Sequence, residues 1–127
     1  MNKIIIISAL LIILSCEKDE VLGPDKKILG KWKLIETGKW PKMEQPTAEV
    51  YSYFCSNNTT IQYDVGLNSR DTCDYWIDTV LHVIQYNITP NPIHYMFNYE
   101  FNDNKMRLDF ITYDGSHPTR IFQRMPF

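Results

Sequence analysis

From Leu29 onward, apolar and polar residues alternate in short runs punctuated by turn-forming residues, and no long segment repeats with the 3.6-residue period of a helix. This pattern predicts eight strands, at about 29–37, 49–56, 59–65, 72–77, 80–88, 93–101, 105–112 and 118–125. Short strands at such regular spacing define an all-β barrel or sandwich.

Hairpin register tests the pattern, because a slip of one residue turns every side chain to the opposite face. A two-residue turn at Asn57-Asn58 sets Ser56 opposite Thr59, Phe54 opposite Ile61 and Val50 opposite Val65. A turn at Asp103-Asn104 sets Phe101, Tyr99 and Phe97 opposite Met106, Leu108 and Phe110, leaving Asn98, Glu100, Arg107 and Asp109 on the other face. A four-residue loop from Thr89 to Pro92 pairs Ile88 with Ile93, Tyr86 with Tyr95 and Ile84 with Phe97. A turn at Asp78-Thr79 places Tyr75 opposite His82 and Cys73 opposite Ile84, with His82 inside and Trp76, Leu81 and Val83 outside. One bulge in either strand reverses that last assignment, so both versions stand.

The first 28 residues follow a different pattern. A basic start, Met1 to Lys3, precedes an apolar run from Ile4 to Leu14, the anatomy of a secretory signal peptide. The run is roughly half of the about 20 apolar residues that a membrane-spanning helix needs. It ends in Ile13-Leu-Ser-Cys16, which resembles the lipobox of bacterial lipoproteins. That resemblance implies cleavage after residue 15 and a lipid anchor on Cys16. Glu17-Lys18-Asp19-Glu20 resembles the tag that exports some lipoproteins to the outer face of the outer membrane, with Lys18, Asp19 and Glu20 as its core. The same four charges also suit a solvated spacer. The expected division is a signal peptide at 1–15, a lipidated charged tether at 16–28 and a barrel domain at 29–127.

The segment Leu29 to Glu36, LGKWKLIE, carries Gly-x-Trp at Gly30 and Trp32 and resembles the first strand of lipocalin-like proteins. In that family the Trp closes one barrel end and an Arg of the last strand lies across it, a role that falls on Arg124 in FQRM. FCSNNT from Phe54, DYWID around Tyr75 and KMRLDF around Met106 also resemble the small lipocalin-like domains of bacterial lipoproteins, in order from Leu29 to Met125. The resemblance implies an eight-stranded antiparallel up-and-down barrel. An interior of that size is either filled by side chains or holds one small ligand, and the many inward Phe and Tyr residues fit both states.

Composition narrows the function. The 127 residues carry a formal charge of −2, which lacks the basic excess of a nucleic-acid binder. The histidines are His82, His94 and His117. The register sets His94 opposite Asn87, five positions from His82, too far to share a zinc ion. No nucleophile stands beside a base and an orienting group, and no glycine-rich loop cradles phosphate. No metal, no cofactor and no enzymatic activity are expected. His82 among Tyr75, Tyr86 and Tyr99 is the candidate ligand site, a polar patch in an apolar tube. With Cys16 lipidated, Cys55 and Cys73 remain, and the register keeps them too far apart to bridge. Asn58-Thr-Thr60 and Asn87-Ile-Thr89 fit the glycosylation pattern and read as turn and edge residues. Outward Tyr51 and Tyr53 read as cross-strand pairs or as an aromatic patch for a partner.

The expected protein is a lipid-anchored, lipocalin-like lipoprotein of the bacterial outer membrane that binds a small apolar or amphipathic ligand. The alternative is a filled barrel serving as an envelope interaction or structural module through an outer stripe of Trp76, Leu81 and Val83.

Overall fold

The computed structural model describes residues 22–86, 91–112, 114 and 116–126. The expected leader, Cys16 and the export tag lie outside these residues, as does the loop pair Ile88 with Ile93 on its Ile88 side. A four-residue helix α1 (Pro24–Lys27) leads into β1 (Gly30–Lys39), β2 (Lys42–Glu44), β3 (Val50–Phe54), β4 (Thr59–Asp64), β5 (Ser69–Ile77), β6 (Leu81–Gln85), β7 (Ile93–Asn102), β8 (Lys105–Phe110) and β9 (Thr119–Met125). Each strand from β3 onward pairs antiparallel with the next, and β9 returns to β1, closing an eight-stranded up-and-down barrel. The short β2 is additional to the sequence expectation. It pairs with Thr37 to Lys39, along the half of β1 that β3 leaves uncovered.

The β7–β8 hairpin has the register its sequence predicts: Phe101 pairs with Met106, Tyr99 with Leu108 and Phe97 with Phe110. Asp103 takes the left-handed conformation that such a tight turn needs, at φ 57°.

Three other hairpins correct the predicted register. Between β3 and β4 the turn has three residues, because Asn58 adopts φ 65° and Cys55 donates its N–H to the Thr59 carbonyl at 2.9 Å. Phe54 therefore pairs with Thr60 and Val50 with Asp64. This one-residue slip sends Thr60, Gln62 and Asp64 inward, turns Ile61 and Tyr63 outward, and leaves Val65 in the next turn. Between β5 and β6, Val80 donates its N–H to Asp78 Oδ1 at 3.0 Å and its carbonyl accepts the Asp78 N–H at 3.0 Å. That three-residue turn pairs Trp76 with His82 and Tyr75 with Val83, so Leu81 and Val83 point inward and His82 outward. Between β6 and β7 the ladder closes at Gln85 and Ile93, three positions from the expected register, and Tyr86 falls outside the strand. The predicted outer stripe of Trp76, Leu81 and Val83 does not form.

One barrel end is closed by the residues of the Gly-x-Trp motif. Trp32 is fully buried, donates its indole N–H to the Ile28 carbonyl at 2.8 Å and pairs across β1 and β9 with Arg124. The Arg124 guanidinium lies 4.3 Å from the centre of the Trp32 ring, and donates to the Leu29 carbonyl at 2.7 Å and to the Lys27 carbonyl. Burial pushes the guanidinium below its ordinary pKa. Gly30 stands at φ 125°, which favours glycine, and starts the strand beneath this cap. Ile28 is fully buried in the same core, so the folded unit includes the last residues of the segment read as tether. A single helical turn is too short to show a period in the sequence.

Gly38 faces the β1–β2 turn at φ 154°, and a Cβ there would stand 2.3 Å from the Lys42 carbonyl oxygen. Gly38→Ala is expected to destabilise the barrel by about 1–3 kcal/mol, since backbone and partner strand must both shift. Gly66→Ala, whose Cβ would meet only Asp64 Oδ1 at 3.6 Å, should leave the melting temperature nearly unchanged. Thermal melts of the two variants check this.

Candidate functional site

Among the described residues, the opposite end of the barrel is open. A cavity of about 490 Å³ runs from this mouth towards Leu81 and Phe54, within the usual range of ligand pockets. The interior is therefore not filled by its aromatic residues.

Two walls of different chemistry line the cavity. On β6 to β9 stand Leu81, Val83, Tyr95, Phe97, Leu108, Phe110 and Phe122, with polar Gln85 and Arg120 among them towards the mouth. On β3 to β5 stand Ser52, Thr60, Gln62, Asp64, Ser69 and Asp71, with Val50, Phe54 and Cys73 between them. The division follows from the register of β4: its inward side carries Thr60, Gln62 and Asp64, while its apolar Ile61 faces solvent.

The deepest polar groups on this wall are Ser52 and Thr60, only 7% and 6% exposed. Among the described residues neither hydroxyl has a hydrogen-bond partner, and both residues line the cavity, so these groups open onto its interior. An unpartnered hydroxyl away from bulk water is costly unless something else bonds to it. At the mouth, Asp64 Oδ1 accepts the Leu67 N–H at 3.1 Å. Asp71 and Arg120 line the same space from β5 and β9, four strands apart in the ring of eight. Among the described residues Arg120 forms no ion pair with either carboxylate. The β8–β9 loop shapes the rim: Thr112 Oγ1 donates to Asp114 Oδ1 at 2.7 Å and the Ser116 N–H to the same oxygen at 3.0 Å. These bonds hold the Asp114 carboxyl down to about 2.

Of the four residues expected to bind a ligand, none lines this cavity. Tyr75 points inward but lies nearer the closed end, edge-on to Phe54 with ring centres 5.0 Å apart, and its hydroxyl donates to the Cys55 carbonyl at 2.9 Å. Burial raises its pKa. Tyr99 also points inward, and its hydroxyl donates to the Asp78 carbonyl at the closed end. His82 and Tyr86 are on the outside, the corrections that follow from the two longer turns. Tyr86 is exposed and donates to Asp74 Oδ2 at 2.9 Å.

The sequence reading also missed the polar lining itself. Ser52, which alternation places on the same face as Val50 and Phe54, is not among the expected site residues, and Thr60, Gln62 and Asp64 were hidden by the one-residue slip. Cys55 and Cys73 are both free thiols. Phe54, Thr60 and Cys73 sit abreast on three neighbouring strands, so Cys73 is level with Cys55 and not at the opposite end. Two inter-strand steps of about 4.8 Å still separate their chains, beyond the span of a disulfide. Burial pushes the Cys73 thiol up, with Asp71 and Asp74 adding to the effect.

On the outer surface the revised register brings two histidines together. His82 Nδ1 and His94 Nε2 stand 2.9 Å apart, which overturns their expected separation. Trp76 stacks on His82, with ring centres 4.3 Å apart and planes 10° from parallel. Tyr51 and Tyr53 face outward beneath Lys31, whose Nζ lies 4.8 Å and 5.6 Å from their ring centres, and Tyr51 pairs across the strands with Tyr63. His117 stands apart in the β8–β9 loop, its Nδ1 3.3 Å from the Phe110 carbonyl.

Compared with known proteins, the chain matches no protein-family model, and no curated protein is significantly similar to it in sequence. Among the described residues, no helix is long and apolar enough to cross a membrane.

Proposed function

We propose that this chain is a lipid-anchored, lipocalin-like lipoprotein of the bacterial outer membrane, without enzymatic activity, whose barrel holds a small amphipathic molecule. The observation that carries the ligand reading is the open cavity of about 490 Å³ with the unpartnered Ser52 and Thr60 hydroxyls inside it. Its ligand lays an apolar body against Val83, Phe97 and Leu108 and turns a hydrogen-bonding edge towards Ser52, Thr60 and Gln62. Asp64 and Asp71 at the mouth favour a protonated amine on that edge, as opposite charges attract in a partly enclosed site. The lipobox at Ile13 to Cys16 supports the anchor, and Lys18 to Glu20 supports display at the cell surface.

Titrating the barrel with N-phenyl-1-naphthylamine, an uncharged dye that brightens in apolar surroundings, should give saturation at one equivalent, and decylamine should displace it. Emission that never saturates would remove ligand binding from the reading. For the anchor, Cys16→Ala is expected to move the protein from the membrane fraction to the soluble fraction. A variant that stays with the membrane would place the anchor elsewhere.

A further inference from the structure

We propose that His82, His94 and Met96, resting on Trp76, form a binding site for monovalent copper on the outside of the barrel. Trp76 pairs directly with His82, and His82 directly with Met96, so three side chains stand abreast on β5, β6 and β7. His94 lies two residues from Met96 on β7 and hence on the same outer face. Directly opposed side chains have Cβ atoms about 4.5–5.5 Å apart, which lets the thioether reach the same point as the two imidazoles.

The ring nitrogens are already aimed at one another. His82 Nδ1 and His94 Nε2 converge at 2.9 Å, while His82 Nε2 lies 3.3 Å from Asp78 Oδ1. With its Nε2–H given to the carboxylate, His82 presents the Nδ1 lone pair to the shared point. A carboxylate bonded to the distal nitrogen is the usual support of a metal-binding histidine. Asp78 is itself fixed: it accepts the Val80 N–H at 3.0 Å, and its carbonyl accepts the Tyr99 hydroxyl. The hydrogen bond from the Val80 N–H holds its carboxyl below the ordinary range. A metal ion entering between the nitrogens displaces the proton that His94 shares there. His94 then carries its proton on Nδ1, so the exchange leaves the protein's charge unchanged.

The donor set selects the ion. Two imidazoles suit several transition metals, but a thioether is a soft ligand that favours copper(I), whereas zinc takes thiolate, imidazole and carboxylate. No group of three or more drawn from His, Cys, Asp and Glu converges among the described residues, so a harder ion lacks a complete shell here. Trp76 adds an aromatic face beside His82, favourable to a cation. Trp76 and Met96 are 41% and 36% exposed, which leaves the ion a path in from solvent.

The test is an anaerobic competition of the purified full chain against bicinchoninate loaded with copper(I). The wild type should withhold one equivalent from the chelator, and His94→Ala and Met96→Leu should each lose it while still binding N-phenyl-1-naphthylamine. Asp78→Asn should weaken the site by about 10–100-fold. Copper left entirely with the chelator would overturn the proposal. So would full retention in Met96→Leu, or zinc(II) binding as tightly as copper(I), since either result reduces the site to its two histidines.

Discussion

Replacing Trp32 with alanine is expected to destabilise the barrel by about 3–5 kcal/mol, the range for removing a large buried aromatic side chain. Three losses coincide at this residue. A fully buried side chain leaves a void beside Phe101, whose ring centre is 6.2 Å away. The Ile28 carbonyl loses the indole N–H that it accepts at 2.8 Å. Arg124 keeps its partly buried charge but loses the ring beneath it. Urea unfolding measures the sum, and the midpoint should fall by roughly 1–5 M given the usual slopes of about 1–3 kcal/mol/M for small proteins. Trp32→Phe retains a ring for Arg124 and should recover more than half of the loss. A fall below about 1 kcal/mol would show that the closed end does not depend on this cap.

The second large effect is on binding. Ser52→Ala combined with Thr60→Val removes the two interior hydroxyls at little cost in volume. Since neither has a partner among the described residues, the double variant is expected to be as stable as the wild type or slightly more so. Its affinity for decylamine, read by displacement of the dye, should fall about 10–100-fold, corresponding to about 1–3 kcal/mol of lost hydrogen bonding. Unchanged stability with weakened binding is a combination that a purely structural role for these hydroxyls does not produce. Thermal melts and displacement curves on the same samples separate the two.

How far the sequence could be read is clearest in its turns. The β7–β8 hairpin was legible because Asp103 and Asn104 form a two-residue turn flanked on both sides by strict alternation. The β3–β4 hairpin was not, although Asn57 and Asn58 look similar: alternation on that strand is ambiguous, and Thr60, Gln62 and Asp64 make an inner face that the apolar rule places outside. Asp78 in the β5–β6 turn uses its own carboxylate to bond Val80, which adds a residue that spacing does not show. From these slips came the misplacement of His82 and the separation of His82 from His94. The existence of eight strands, and the positions of Trp32 and Arg124 at one end of them, depended only on period and motif. The candidate site depended on register, where a single residue decides which side chains meet.

The most direct test of the interior site is to follow the backbone amide resonances of the barrel, residues 22–127, as decylamine is added. The account predicts saturable shifts at Ser52, Thr60, Gln62, Val83 and Leu108, with Trp32 and Phe101 at the closed end unmoved. Shifts confined to outward residues such as Tyr53, Tyr63 and Trp76, with the cavity lining silent, would contradict it.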